Sequence, residues 1–208
     1  MRSIALSGSF CYYYSMIKAS IGELAIHIKK QSNIDEHFVI AISGFGGAGK
    51  STLSKQLVTL LGDATLIHTD DFIASDENGA LEGYHLDWVK LEGQVINLAK
   101  TANKLKSRIY DWKANRPVNE EVPSSKYIII EGSIWLIQEK FKPYIDLTVW
   151  INVPQNIAND RGKKRDNEIY GVNHDKLWDE VWAPREKDSF NKLQPDKKAG
   201  ILLENNYT

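Results

Sequence analysis

Cysteine is almost absent from this chain. Cys11 is the single one among 208 residues, so no internal disulfide can form, and a reducing cytoplasm suits it. A charge excess is missing too. Against 27 Asp and Glu stand 26 Lys and Arg, a formal net charge of −1, without the basic surplus expected of a dedicated nucleic-acid binder. No apolar run approaches the ~20 residues needed to span a bilayer. The start, Met1 to Tyr14, lacks the apolar core of a secretory signal and reads as a tail, disordered or peripheral. No internal repeat and no low-complexity segment appear. His27, His37, His68, His85 and His174 show no metal-ligand spacing, so no zinc site is expected. With 42% hydrophobic and 25% charged residues, the chain has the composition of an ordinary globular protein and the length of one well-buried domain, residues 1–208.

Against this background one stretch stands out. Gly44-Phe45-Gly46-Gly47-Ala48-Gly49-Lys50-Ser51-Thr52 matches G-x-x-x-x-G-K-[ST] in full. The apolar run Val39–Ile42 before it predicts a buried parallel strand. Leu53, Leu57, Leu60 and Leu61 behind it recur at helical spacing. A glycine-rich turn between strand and helix lets successive backbone N–H groups face inward as an anion cradle, with the positive end of the helix aimed at the same point. Gly44, Gly46, Gly47, Ala48 and Gly49 would form the loop. Lys50 would reach the β/γ-phosphates and the Ser51 hydroxyl a Mg²⁺ ion, with Thr52 continuing into the helix. The guanine-reading Asn-Lys-x-Asp of GTPases finds no match, since Asn103-Lys104-Leu105-Lys106 lacks the aspartate; the expected donor is ATP.

The remaining pattern predicts an α/β fold: a parallel sheet of about five strands sandwiched between helices. An amphipathic helix is expected over 15–33, with Ile17, Ile21, Leu24 and Ile28 on one face. Thr65–His68 is a short apolar run that ends at Thr69-Asp70-Asp71-Phe72. Residues 79–84 read as a loop, and Leu86 to Thr101 as one long helix. Ser107–Trp112 reads as a short strand or extended arm, and 116–125, with two prolines and an acidic pair, as a loop. Tyr127–Ile130 is a central strand that ends on Glu131-Gly132. Ile145–Val153 is another, closed by Pro154. A polar helix with Arg161, Lys163, Lys164 and Arg165 follows, then one presenting Leu177, Trp178, Val181 and Trp182, and a last strand at Ile201–Leu203. Ligands of open parallel sheets sit at the carboxyl ends of the strands. The P-loop, Asp70-Asp71 and Glu131 all fall at such ends. Phosphoryl transfer needs oxygen ligands for a metal and a carboxylate for the attacking hydroxyl. Ser51, Glu131 and Asp70 are candidates for the metal, with Asp70 also serving the acceptor.

These residues resemble the uridine kinase and phosphoribulokinase family of P-loop kinases, which includes nicotinamide riboside and pantothenate kinases. The resemblance rests on Ile42-Ser43-Gly44 with Gly49-Lys50-Ser51-Thr52, on Thr69-Asp70-Asp71-Phe72, and on Ile129-Ile130-Glu131-Gly132. Ile109-Tyr110-Asp111-Trp112 resembles the stretch beside the acceptor, and Arg161 with Arg165-Asp166 the lid. The resemblance implies Asp70 as general base, Asp71 ranking second, and a small helical lid near 154–172 whose arginines close over the triphosphate. It implies an acceptor site with Asp87 on ribose hydroxyls and Tyr110, Trp112, Asn115 and Arg116 toward the base. Asp87 has a second reading, as the N-cap of the helix that follows. Arg161 and Arg165 also have one, as part of a solvated basic face. Asn115 stands where uridine kinases carry a histidine, and Arg116 falls one place early. The expected function is an ATP- and Mg²⁺-dependent kinase acting on a primary hydroxyl, foremost the 5′-hydroxyl of a nucleoside such as uridine. Nicotinamide riboside, pantothenate or a sugar are alternative acceptors, and a P-loop ATPase or switch acting on a protein partner is the alternative class. A homo-oligomer is left open.

Overall fold

The computed structural model describes residues 15–17, 20–33, 36–75, 81–102, 104–114, 116–123, 125–132 and 134–205. The expectations for 1–14 and for Asn115 lie outside the described residues. The chain opens with β1 (Ser15–Ile17) and α1 (Ile21–Gln31). A capping box fixes where α1 starts: Ser20 N–H donates to Glu23 Oε2 at 2.8 Å and Glu23 N–H to Ser20 Oγ at 3.4 Å. The helix expected over 15–33 therefore begins at Ile21, and Ile17, expected on its apolar face, belongs to a strand. β2 (Phe38–Gly44) leads through the P-loop into α2 (Lys50–Leu61), which ends at Gly62 with φ +90°, as a C-terminal glycine should.

β3 (Ala64–His68) runs into a 3₁₀ turn, Thr69–Phe72. β4 (Ile73–Ser75) and β5 (Leu81–Leu86) then pair antiparallel, so a strand covers part of the loop expected over 79–84. The long helix expected from Leu86 to Thr101 is α3 (Trp88–Gln94) followed by a 3₁₀ turn, Ile96–Leu98. Gly93 and the β-branched pair Val95-Ile96 weaken the helix at this point, and breaking it lets Val95 and Ile96 both be buried. β6 (Lys104–Asp111) and β7 (Arg116–Pro123) form an antiparallel hairpin, where residues 116–125 were expected to be loop. β8 (Tyr127–Gly132), β9 (Leu147–Asn152), α4 (Gln155–Glu168) and α5 (Asp175–Leu177) follow. A π-helical turn, Trp178–Trp182, joins α5 to α6 (Ala183–Leu193), and α7 (Pro195–Lys198) precedes β10 (Ile201–Glu204).

The main sheet has the order β1-β10-β9-β2-β8-β3 and every pairing in it is parallel. Its five principal strands are those expected, and β1 adds a three-residue edge. Side chains alternate across a strand, and each face has its own core. Ile40, Ile42 and Ile129 face α1, α2 and α6, packing with Leu24, Ile28, Leu57 and Trp150. Val39, Ala41, Ile128 and Ile130 face α3 and the 3₁₀ turns, packing with Leu91, Ile96, Leu136 and Phe141. Burial on both faces explains why β2 and β8 read as unbroken apolar runs. Each fully buried isoleucine contributes about 1.5–3 kcal/mol. No described helix is long and apolar enough to cross a membrane.

Candidate active site

The P-loop sits where β2 ends. Gly47 has φ +80° and Gly49 φ +93°, a left-handed backbone that turns the loop back on itself. At Gly47 there is also no room for a side chain, because a Cβ would run into the carbonyl of Ala158 on α4. The predicted lid helix thus lies directly on the phosphate loop. The indole of Trp178 packs over Gly46 and over Gly162 of α4. Asn205, just past β10, donates from Nδ2 to the Ala48 carbonyl at 2.7 Å. Lys50 folds back on the loop, its ammonium donating to the carbonyls of Gly44 at 3.1 Å and Phe45 at 3.0 Å.

Register brings the other candidates alongside. Ile42 pairs with Glu131 across β2 and β8, and Glu131 pairs with His68 across β8 and β3. Glu131 is 4% exposed. Its Oε1 accepts from the Ser51 hydroxyl at 2.9 Å and bonds His68 Nδ1 at 2.5 Å. Burial alone would push the Glu131 pKa up, but His68, Lys50 and Ser51 together hold it below the usual carboxylate value. The same hydrogen bond raises the His68 pKa, against the effect of burial. Glu131 is therefore an ionised carboxylate at neutral pH, with His68 inclined to carry the matching proton. The sequence pattern weighs His68 only as a metal ligand; its role as the partner of Glu131 lies in strand register between residues 63 positions apart.

Asp70 and Asp71 lie on the 3₁₀ turn after β3. Gly132, with φ +143°, lets this turn approach β8, since a Cβ there would collide with the Thr69 side chain. Surrounding protein raises the Asp70 pKa, with Lys50 opposing and Glu131 adding to the shift. Asp70 is nonetheless exposed, and solvent screening limits that shift. The Asp71 pKa is pushed up to about 6, chiefly by burial, with His68 and a hydrogen bond from Trp112 working against the rise. Asp71 lines a cavity of about 450 Å³ whose walls include Tyr110, Trp112, Asn119 and Glu120 of the β6–β7 hairpin. Tyr110 is buried and stands edge-on to Trp112 at 5.1 Å, while Trp112 is 47% exposed. Arg116 is exposed at the start of β7.

Two further expectations meet a different local geometry. Asp87 caps α3, with Oδ1 accepting from Lys90 N–H at 2.9 Å and Oδ2 paired with the Lys90 ammonium at 3.1 Å. Burial pushes its pKa up, yet these Lys90 bonds outweigh it and leave the pKa lowered. A ribose diol would have to displace Lys90. On α4, Arg161 donates to the Asn205 carbonyl at 3.2 Å. Arg165 donates from Nε and Nη2 to Asp166 Oδ1, although its charge is felt by Asp70. Asp166 is a buried hub: Oδ2 takes the Trp178 indole N–H at 2.9 Å and bonds His174 Nδ1 at 3.3 Å. Neither arginine side chain is engaged by the P-loop.

One residue without a signal in the sequence enters the loop itself. Glu186, on the first turn of α6, accepts the Gly46 N–H on Oε1 at 2.8 Å. It is 140 positions from Gly46, and a glutamate in an amphipathic helix carries no local sign of such a role. Ser51 Oγ and Glu131 Oε1 are hard oxygen donors suited to Mg²⁺. Among the described residues no three His, Cys, Asp or Glu side chains form a metal cage. That donor set fits Mg²⁺, which takes one or two carboxylates and completes its shell with water and substrate phosphate.

A parallel sheet with a complete P-loop at its centre, a Ser–carboxylate pair beside it and a helix lying over the loop define the class of P-loop phosphotransferases. Residues 74–200 match the Phosphoribulokinase / Uridine kinase family, more than half of the chain, and the protein belongs to that family. It is an ATP-dependent phosphotransferase acting on a small molecule. A uridine kinase from Borrelia hermsii is 22% identical over 174 residues, covering 79% of this chain and 84% of that protein. A nicotinamide riboside kinase from Saccharomyces cerevisiae is 22% identical over 155 residues, covering 61% and 65%. In three dimensions the chain is similar to a structure described as a possible uridine kinase from Bacillus stearothermophilus, with a TM-score of 0.65 and 23% identity over 88% of this chain and 96% of that one.

Proposed function

We propose that the protein transfers the γ-phosphoryl group of ATP to the 5′-hydroxyl of a nucleoside such as uridine. The observation that carries this reading is the division of the Asp70-Asp71 pair. Asp70 is under the charges of Lys50 and Glu131, whereas Asp71 lines the aromatic-walled cavity of about 450 Å³. Donor and acceptor chemistry thus meet across one turn of chain. Asp70 accepts the proton of the attacking hydroxyl. The acceptor oxygen bonds to the γ-phosphorus as the bond to the ADP oxygen breaks, and Lys50 holds the charge that gathers on the phosphoryl oxygens. Ser51 and Glu131 would hold Mg²⁺, which would supply positive charge to offset that of the phosphates. Arg165 is the lid residue within electrostatic reach of Asp70, and segment 154–172 serves as the lid of a single kinase domain.

Trp112 and Tyr110 offer a stacking wall for a base. The carboxylates of Asp71 and Glu120 in the same lining favour a second reading, an acceptor whose ring is cationic, such as a pyridinium riboside. The two are separated by kcat/KM for uridine, cytidine, their deoxy forms, nicotinamide riboside and pantothenate under one set of conditions. Uridine or cytidine should lead, with the deoxyribosides poorer if Asp87 yields Lys90 to a ribose diol. Turnover on pantothenate or a simple sugar, with none on any riboside, would contradict the nucleoside assignment.

A further inference from the structure

The Glu186 carboxylate is the least expected group in the phosphate loop. Backbone N–H groups of a glycine-rich phosphate loop attract anions, and here one of them, that of Gly46, is taken by the chain's own anion. Oε1 accepts from Gly46 at 2.8 Å, while Oε2 is buried and has no hydrogen-bond partner among the described residues. A buried, half-satisfied carboxylate is costly. Trp178 covers Gly46 from the same side, and a Cβ on Gly46 would meet both its ring and Glu186 Oε1. The charged groups that act on Glu186 are Lys50 of α2, which attracts it, and Asp70 of the 3₁₀ turn, which repels it. Those two are also the groups that flank the transferring phosphoryl group in the proposed reaction.

We propose that Glu186 is an intramolecular occupant of the donor phosphate site, a positioning residue that compensates the Gly46 amide and the Lys50 charge and is displaced by the terminal phosphates of the nucleotide. The proposal rests on the reading of the P-loop as the donor site. It has a direct consequence: a polyphosphate must evict a carboxylate of like charge before it can bind. Burial raises the Glu186 pKa, so eviction is easiest at low pH, where the carboxyl is neutral, and hardest above that pKa.

Inorganic tripolyphosphate is the probe, since it carries the phosphates without base or acceptor. Calorimetry on the full chain should give Glu186→Gln a Kd about five- to tenfold lower than wild type at pH 8. The gap should shrink toward pH 5, because only the wild type has a carboxyl there to protonate. In steady state with ATP the variant should show a lower KM for ATP with little change in kcat. Equal or weaker tripolyphosphate binding by Glu186→Gln at both pH values would overturn the proposal and make Glu186 a fixed brace of the loop. Hydrogen–deuterium exchange on the wild type provides a measurement independent of any variant. Tripolyphosphate should increase exchange over residues 183–190, and a decrease there overturns the proposal. If wild type binds neither tripolyphosphate nor ATP, the donor-site reading itself fails and the proposal with it. Binding that persists without a Glu186 effect removes the proposal alone.

Discussion

Lys50 is held by two carbonyls of its own loop, so its removal should leave the fold intact while stripping the site of its central charge. At about 100 times Kd, ATP adds about 2.7 kcal/mol to a protein that binds it only when folded. For a chain of this size that is a rise in Tm of about 5–10 °C, at about 2–4 °C per kcal/mol. Lys50→Ala should lose most of this rise, and an unchanged shift would remove the P-loop from the mechanism. The paired aspartates should separate in kinetics. Asp70→Asn should lower kcat by about 10²–10⁴ with ATP binding kept, whereas Asp71→Asn should act mainly on the acceptor KM. The reverse ranking would mean that Asp71 takes the proton. Asp71 also makes a stability prediction. Its carboxyl rises from 3.8 to about 6 on folding, so the folded state binds that proton more tightly, and its contribution to stability is lost as pH climbs through this window. Asp71→Asn should therefore raise Tm relative to wild type above pH 6, with the gain fading below about pH 4. A gain that instead grows toward low pH would contradict the assigned shift.

At the level of elements, the sheet was readable because its signals are local. β2, β8 and β9 are short apolar runs, and the glycine motif marks the turn between β2 and α2. Of the β6–β7 hairpin, β6 was readable in part, as the strand or extended arm expected over Ser107–Trp112, whereas β7 was not. Pro117 and Pro123 argue against a strand, yet each strand of this isolated pair has an unpaired edge where proline is tolerated. The acidic pair in β7 reads as loop until Lys104 and Lys106 are seen reaching across to Glu121. Legibility of the site divides in the same way. Lys50, Ser51, Asp70 and Glu131 lie in motifs of a few residues, whereas His68 and Glu186 act on partners 63 and 140 positions away. Neither distance leaves a pattern in the chain. The seating of α4 on the loop depends on Trp178 fitting against Gly162, where a Cβ would meet the indole. Gly162→Ala should cost about 1–3 kcal/mol and loosen α4 over the loop, read as a lower Tm together with a higher KM for ATP. A variant as stable as wild type with an unchanged KM would show that the helix does not need this contact.

In the molecule as a whole, the two faces of the sheet are both covered and the carboxyl ends of β2, β3 and β8 are left as the place where ligands can enter. The donor site is built by the P-loop and the elements laid over it, α4 and α6. The cavity proposed for the acceptor is built largely by a hairpin that lies outside the main sheet. A kinase needs the two sites to share one phosphoryl group, and the Asp70-Asp71 turn borders both. The most direct test follows ATP labelled with ³²P at the γ-position, incubated with Mg²⁺ and a riboside panel, and locates the label in the products. The account predicts label in a 5′-phosphomonoester of a riboside, formed in step with ADP and lost in Asp70→Asn. Label released as inorganic phosphate at a rate indifferent to every acceptor would contradict it.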